Sequence, residues 1–224
     1  MNEILIQSGI EKSVIIILLM LPVVTTLIGF ARHILGLRSL GIYLSLVITF
    51  IFFIIGSHKD SYYSDPLVGL LYGVPLVILI FLSTLMCYFI IKKLSIHYYP
   101  KLALVIFGVT GTLLLSIVIL GLLNFQKVIL IDAFTLVLIV AISEKYFNTL
   151  ARKDFKTTLF ISLESIILSG LCYLIISWQA FQDAIVAYPF ILLALIPINI
   201  IVGKFTGLRF SEYLRFRGII TENN

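Results

Sequence analysis

The sequence predicts an all-α fold: a polytopic membrane bundle of seven transmembrane helices, N-terminus outside and C-terminus in the cytoplasm, closed by a short amphipathic segment. Three observations predict it. The 224 residues are 61% hydrophobic and only 12% charged, against about 45–50% and about 25% in ordinary soluble domains. Apolar runs near the ~20 residues that a spanning helix needs recur along the whole chain. Lys and Arg fall between those runs and gather on alternate sides, as cytoplasmic loops require.

The runs can be taken in order. Ser13–Phe30 is the first and carries Pro22 inside it. Leu40–Gly56 is the second. Leu67–Ile91 is long enough to tilt and contains Pro75, where a kink is expected. Leu102–Leu123 is the fourth. Val128–Ile142 is short and holds Asp132. Thr157–Trp178 holds Glu164, and Ile185–Gly203 holds Pro197, a second expected kink. Loop 31–39 carries Arg32 and Arg38, and loop 92–101 carries Lys92, Lys93 and Lys101. Loop 143–156 carries Lys145, Arg152, Lys153 and Lys156, and the tail carries Lys204, Arg209, Arg215 and Arg217. Of the 16 basic residues, the other side receives only Lys12, Lys59 and Lys127. Seven spans keep this alternation and six would break it. Trp178, Tyr62, Tyr63 and Tyr188 fall near the outer boundary and Tyr98, Tyr99, Tyr146 and Tyr213 near the inner one, where amphipathic rings favour the headgroup level.

This organisation divides the chain into a short external N-terminus (1–12), a membrane domain (13–203) and a basic cytoplasmic tail (204–224). The first ten residues are too polar for a cleavable signal, so the first run reads as a retained helix. The net charge of +5 follows from the inside bias and implies no nucleic acid partner; the partner it implies is the bilayer. The tail interleaves basic residues with Phe205, Leu208, Phe210, Tyr213, Leu214 and Phe216. It reads either as an amphipathic segment on the anionic inner leaflet or as a plain stop-transfer flank. Cys87 and Cys172 fall in opposite halves of the membrane, which argues against a disulfide.

Candidate functional residues are few. Gly69 and Gly73 form a small-xxx-small pair in the third run, and Gly108, Thr112 and Ser116 repeat every four residues in the fourth. Ser162, Ser165 and Ser169 stripe the sixth. Such stripes let helices approach closely in lipid, where apolar burial between helices supplies no driving force. Glu164 and Asp132 are carboxylates within apolar runs, where an ionised group costs about 2.5–3.5 kcal/mol on insertion scales. No Lys or Arg lies deep in a run to pair with either. Each reads as a proton or cation site or as a neutral, hydrogen-bonded packing residue. No paired aspartates, no Ser and His at membrane depth and no phosphate loop are present, and His33, His58 and His97 all lie at loops or helix ends. No catalytic residue, metal site or cofactor is therefore assigned, and the balance is against an enzyme.

Several stretches resemble a known family. They are 19–32 at the opening of the first run, then Gly36-Leu37-Arg38-Ser39-Leu40-Gly41-Ile42-Tyr43, Tyr99-Pro100-Lys101-Leu102-Ala103, Ser143-Glu144-Lys145, Ser177-Trp178 and Tyr188-Pro189. The ending 203–217, with Arg209, Glu212, Arg215 and Arg217, is polar and so not dictated by hydropathy. The chain resembles the bacterial seven-transmembrane domain usually found fused to an inactive transglutaminase-like domain. A weaker likeness, mainly across the second to sixth runs, is to the small membrane subunit of poly-gamma-glutamate synthesis. The resemblance implies a periplasmic globular domain at the N-terminal side, which N-out topology permits. The chain starts about ten residues before the first run, so it is expected to be a stand-alone version or to meet that domain on a separate chain. The implied location is the bacterial inner membrane.

Two functions follow as expectations. One is a non-catalytic membrane module that anchors or organises a periplasmic transglutaminase-like domain, a cytoplasmic glutamate-adding, ATP-dependent amide ligase, or both. Its contact surfaces would be the turn with Gly36, Arg38 and Tyr43 and the tail with Arg209, Glu212, Arg215 and Arg217. The other is a transporter or conduit for a small peptide or polymer, with an intramembrane carboxylate in its path.

Overall fold

The computed structural model describes residues 12–37, 39–57, 64–122 and 133–204. Among them the only β feature is an isolated bridge between Ser57 and Ser64. Eight helices account for nearly everything else: α1 Lys12–Phe30, α2 Ile42–Gly56, α3 Pro66–Lys92, α4 Tyr98–Leu122, α5 Ala133–Arg152, α6 Phe155–Ile176, α7 Gln179–Ala187 and α8 Leu195–Lys204. A π-helical turn, Ala31–Leu35, extends α1, and a 3-10 turn, Pro189–Ala194, leads into α8.

The helices run back and forth between two ends. One end is basic. There the end of α1, the start of α2, the end of α3, the start of α4, the end of α5 and the start of α6 come together, tied by Tyr98–Asn148 (2.7 Å) and by the Tyr88–Phe147 and Phe89–Phe155 ring pairs. At the opposite end Tyr173 gathers the chain. Its hydroxyl meets the Ser64 Oγ at 2.7 Å and lies 2.9 Å from the Asp65 carbonyl oxygen.

α2 is the hub. It packs against α1, α3, α5 and α6, and Leu44, Ile48, Ile51 and Phe52 are fully buried. A helix apolar on every side belongs in the core. The close approach comes from glycine. A Cβ on Gly69 would overlap the Tyr173 hydroxyl and lie 2.6 Å from the Phe52 carbonyl oxygen, and one on Gly73 would overlap the Phe52 ring. The serines of α6 complete the seam. Ser169 Oγ donates to the Ser45 carbonyl at 2.9 Å, and Thr49 Oγ1 donates to it at 2.8 Å.

The outward faces are apolar. Leu67 is 81% exposed, Phe107 77% and Phe190 80%, a surface that water does not support but lipid does. Ile15–Leu35, Pro66–Lys92, Tyr98–Ile119 and Phe155–Ile176 are long and apolar enough to cross a membrane.

Three features differ from the sequence expectation. The fifth run does not end at Ile142. Its helix continues to Arg152 and packs against α3 and α4, so Tyr146, expected at the membrane surface, is 1% exposed and stacks on Phe81 at 4.4 Å. The seventh run is not one helix. α7 meets the stretch Pro189–Lys204 at 97°, because a proline pushes the residue before it out of the α region and Tyr188 has φ −127°, ψ 71°. Pro197 offers no N–H to the Leu193 carbonyl and its ring crowds that group, consistent with the 3-10 form just ahead of α8. By contrast Pro22 and Pro75 lie within unbroken helices.

α7 and α8 are both anchored. Gln182 Nε2 donates to the Ile176 carbonyl at 2.7 Å, satisfying an end group of α6. Asn199 Nδ2 donates to Thr26 Oγ1 of α1 at 2.8 Å.

Candidate functional site

The basic end holds a cavity of about 640 Å³. It begins with the π-turn. Widening the helix at Ala31–Leu35 leaves Gly36 to end it in the left-handed region (φ 77°), with its N–H donating to the Ala31 carbonyl. A side chain at that φ would be strained, and the same holds at Gly41 (φ 137°). Between these glycines the chain turns towards α6, where the Leu40 N–H donates to Ser165 Oγ at 2.8 Å. That bond sets Ser39 beside Thr157 and Ile161, which form the α6 side of the cavity.

The wall is cationic. Arg32 of the π-turn and Lys153 of the α5–α6 junction carry that charge, and none of the described residues lining the cavity is a carboxylate. Ser39 is only 8% exposed, and its hydroxyl has no hydrogen-bond partner among the described residues. Thr157 lies in the first turn of α6, a 22-residue helix whose N-cap, Asp154, makes no side-chain capping bond. The first N–H groups of a helix need external acceptors, and its N-terminus favours negative charge. The arrangement is suited to holding an anion. Among the described residues no group of three or more His, Cys, Asp or Glu could hold a metal ion.

A family of known description matches residues 5–220: 7 transmembrane helices usually fused to an inactive transglutaminase. The chain belongs to this family. No curated protein and no solved structure matches it.

In this member of the seven-helix family the residues singled out from sequence are spread across the bundle. Gly36 lines the cavity, and Tyr43, just beyond it, is exposed. Gly69 and Gly73 are buried in the α2–α3–α6 core. Gly108 faces Cys87 of α3, while Thr112 and Ser116 donate to carbonyls of their own helix, Val109 and Leu113. Glu164 is half-buried on α6, one face-repeat beyond Thr157 and Ile161. Asp132, Arg38, Arg209, Glu212, Arg215 and Arg217 lie outside the described residues.

Sequence reasoning placed Gly36 on a contact surface but did not join Arg32, Ser39, Lys153 and Thr157 into one wall. The two positive-φ glycines five residues apart were the available signal; the pairing of α1 with the start of α6 was not legible.

Proposed function

We propose that this family member is a non-catalytic membrane module that holds a transglutaminase-like domain outside the membrane, a glutamate-adding ATP-dependent ligase inside, or both. The observation that carries the reading is family membership, since these seven helices usually accompany an inactive transglutaminase. In this reading the membrane is the bacterial inner membrane and the basic end faces the cytoplasm, in keeping with the placement of Lys and Arg. The seven spans are the four long apolar helices, the bent α7–α8 pair, α2 and α5. α2 is only 15 residues long, but its middle is enclosed by its neighbours, with Leu44, Ile48, Ile51 and Phe52 fully buried.

The test is purification in mild detergent from the native membrane, with mass spectrometry of what accompanies the chain in near-stoichiometric amounts. A transglutaminase-like protein or an amide ligase is the expected companion. Tail substitutions at Arg209, Arg215 and Arg217 are expected to release the ligase. A clean homomer would sink the scaffold reading.

A conduit for a small peptide or polymer is the second reading. What favours it is the strip Thr157, Ile161, Glu164, spaced i, i+4, i+7 and therefore on one face of α6, which carries the half-buried Glu164 one turn beyond the cavity lining. Glu164→Gln is expected to abolish transport while expression and folding persist. Full transport by that variant would remove this reading's residue-level support.

A further inference from the structure

We infer that the cavity at the basic end binds a phosphate-bearing group, with a phospholipid headgroup as its source. Four independent features converge on one volume. Arg32 supplies a planar fork of donors suited to phosphate oxygens, and Lys153 adds a second positive charge to the lining. The N-terminal turn of α6 contributes Thr157, and the positive end of a helix favours a nearby anion. Ser39, which lines the same cavity, contributes a buried hydroxyl with no hydrogen-bond partner among the described residues, and buried polar groups are normally hydrogen-bonded.

The apolar rim decides for a lipid over a free anion. Phe30, Leu35 and Ile42 flank the wall residues, and all three side chains are exposed. A headgroup seated between Arg32 and Lys153 would lay its acyl chains against these residues at the edge of the hydrocarbon. The site asks only for the phosphate and its charge, so a soluble phosphate compound shares the same recognition chemistry. The inference does not depend on whether the chain holds a partner.

The experiment uses the purified full chain, delipidated in a neutral detergent and examined by native mass spectrometry with phosphatidylglycerol or phosphatidylcholine. A parallel arm measures thermal unfolding with inorganic phosphate or glycerol 3-phosphate. The wild type is expected to retain phosphatidylglycerol in preference to phosphatidylcholine. Arg32→Gln/Lys153→Gln is expected to lose that preference, by about tenfold for each charge removed. Lys92→Gln/Lys93→Gln, at the same end but not on the wall, should keep it and so separate a built site from general attraction to anionic lipid. Lys153 is exposed, so Lys153→Gln alone gives the same reading should the double variant misfold. Stabilisation by the soluble phosphates, lost in the variant and without lipid preference, would support the phosphate site and move its source to the cytoplasm. A lipid preference that survives in Arg32→Gln/Lys153→Gln, or the absence of both effects in the wild type, would overturn the inference.

Discussion

Glycine and tyrosine set the tightest packing at the residue scale. Gly69 leaves room for the Tyr173 hydroxyl and the Phe52 backbone, and an added methyl has no free volume to enter. Gly69→Ala is expected to destabilise the bundle by about 1–3 kcal/mol, the usual cost of overpacking. Gly111→Ala is its control, since a Cβ there meets nothing within 4 Å; it should be neutral or slightly stabilising. Reversible unfolding in mixed micelles measures both. Tyr173→Phe keeps the ring and its edge contact with Phe52 but leaves the buried Ser64 hydroxyl without that partner. A loss of about 1–3 kcal/mol is expected in the same assay, and no loss would mean that the Ser64 and Asp65 contacts contribute nothing net.

The break before α8 has a local and a tertiary cause at the element scale. Pro189 excludes the α conformation at Tyr188. Independently, Gln182 holds α7 on the end of α6 and Asn199 holds α8 on α1. Pro189→Ala alone is therefore expected to keep the bend, while Pro189→Ala/Asn199→Leu should let the arms open. Spin labels at Asp183 and Ile201 would report this, approaching the ~27 Å of an uninterrupted helix only in the double variant. Straightening in the single variant would show that the proline alone makes the break. The serine seam is graded differently. Ser169→Ala removes one bond to the Ser45 carbonyl, and an interhelical bond of this kind contributes about 0.6 kcal/mol on average in membranes. The expected effect is correspondingly small.

At the scale of the whole molecule, the exposed apolar belt and the basic end together describe a body made for a bilayer. Topology reporters are expected to score as external when fused after Ser57 and after Leu122, and as cytoplasmic when fused after Lys93 and after Lys153. Two consecutive junctions on the same side would break the seven-span arrangement. The apolar belt and the basic end were legible in sequence because hydropathy and charge placement are local properties: each apolar run is visible within about twenty residues, whatever its neighbours. The beginning and end of α3 were readable to within a residue, since Pro66 opens the helix and Lys92 closes the apolar run. The end of α5 was not, because Glu144 and Lys145 mark a loop by polarity although Tyr146 and Phe147 pack inwards on α3.

The sequence by itself determined the class, the lipid-facing composition and the family, because the solvent acts on every residue separately. Only the tertiary structure decided that a helix of only 15 residues is the hub, that the last run is bent by 97°, and that Arg32, Ser39, Lys153 and Thr157 share one cavity. These depend on which faces meet, and a set of helices apolar nearly all round carries little periodicity from which to read that. The choice was made by a few small or polar atoms, Gly69, Gly73, Ser165 and Ser169, whose contacts lie up to about 125 residues away in sequence.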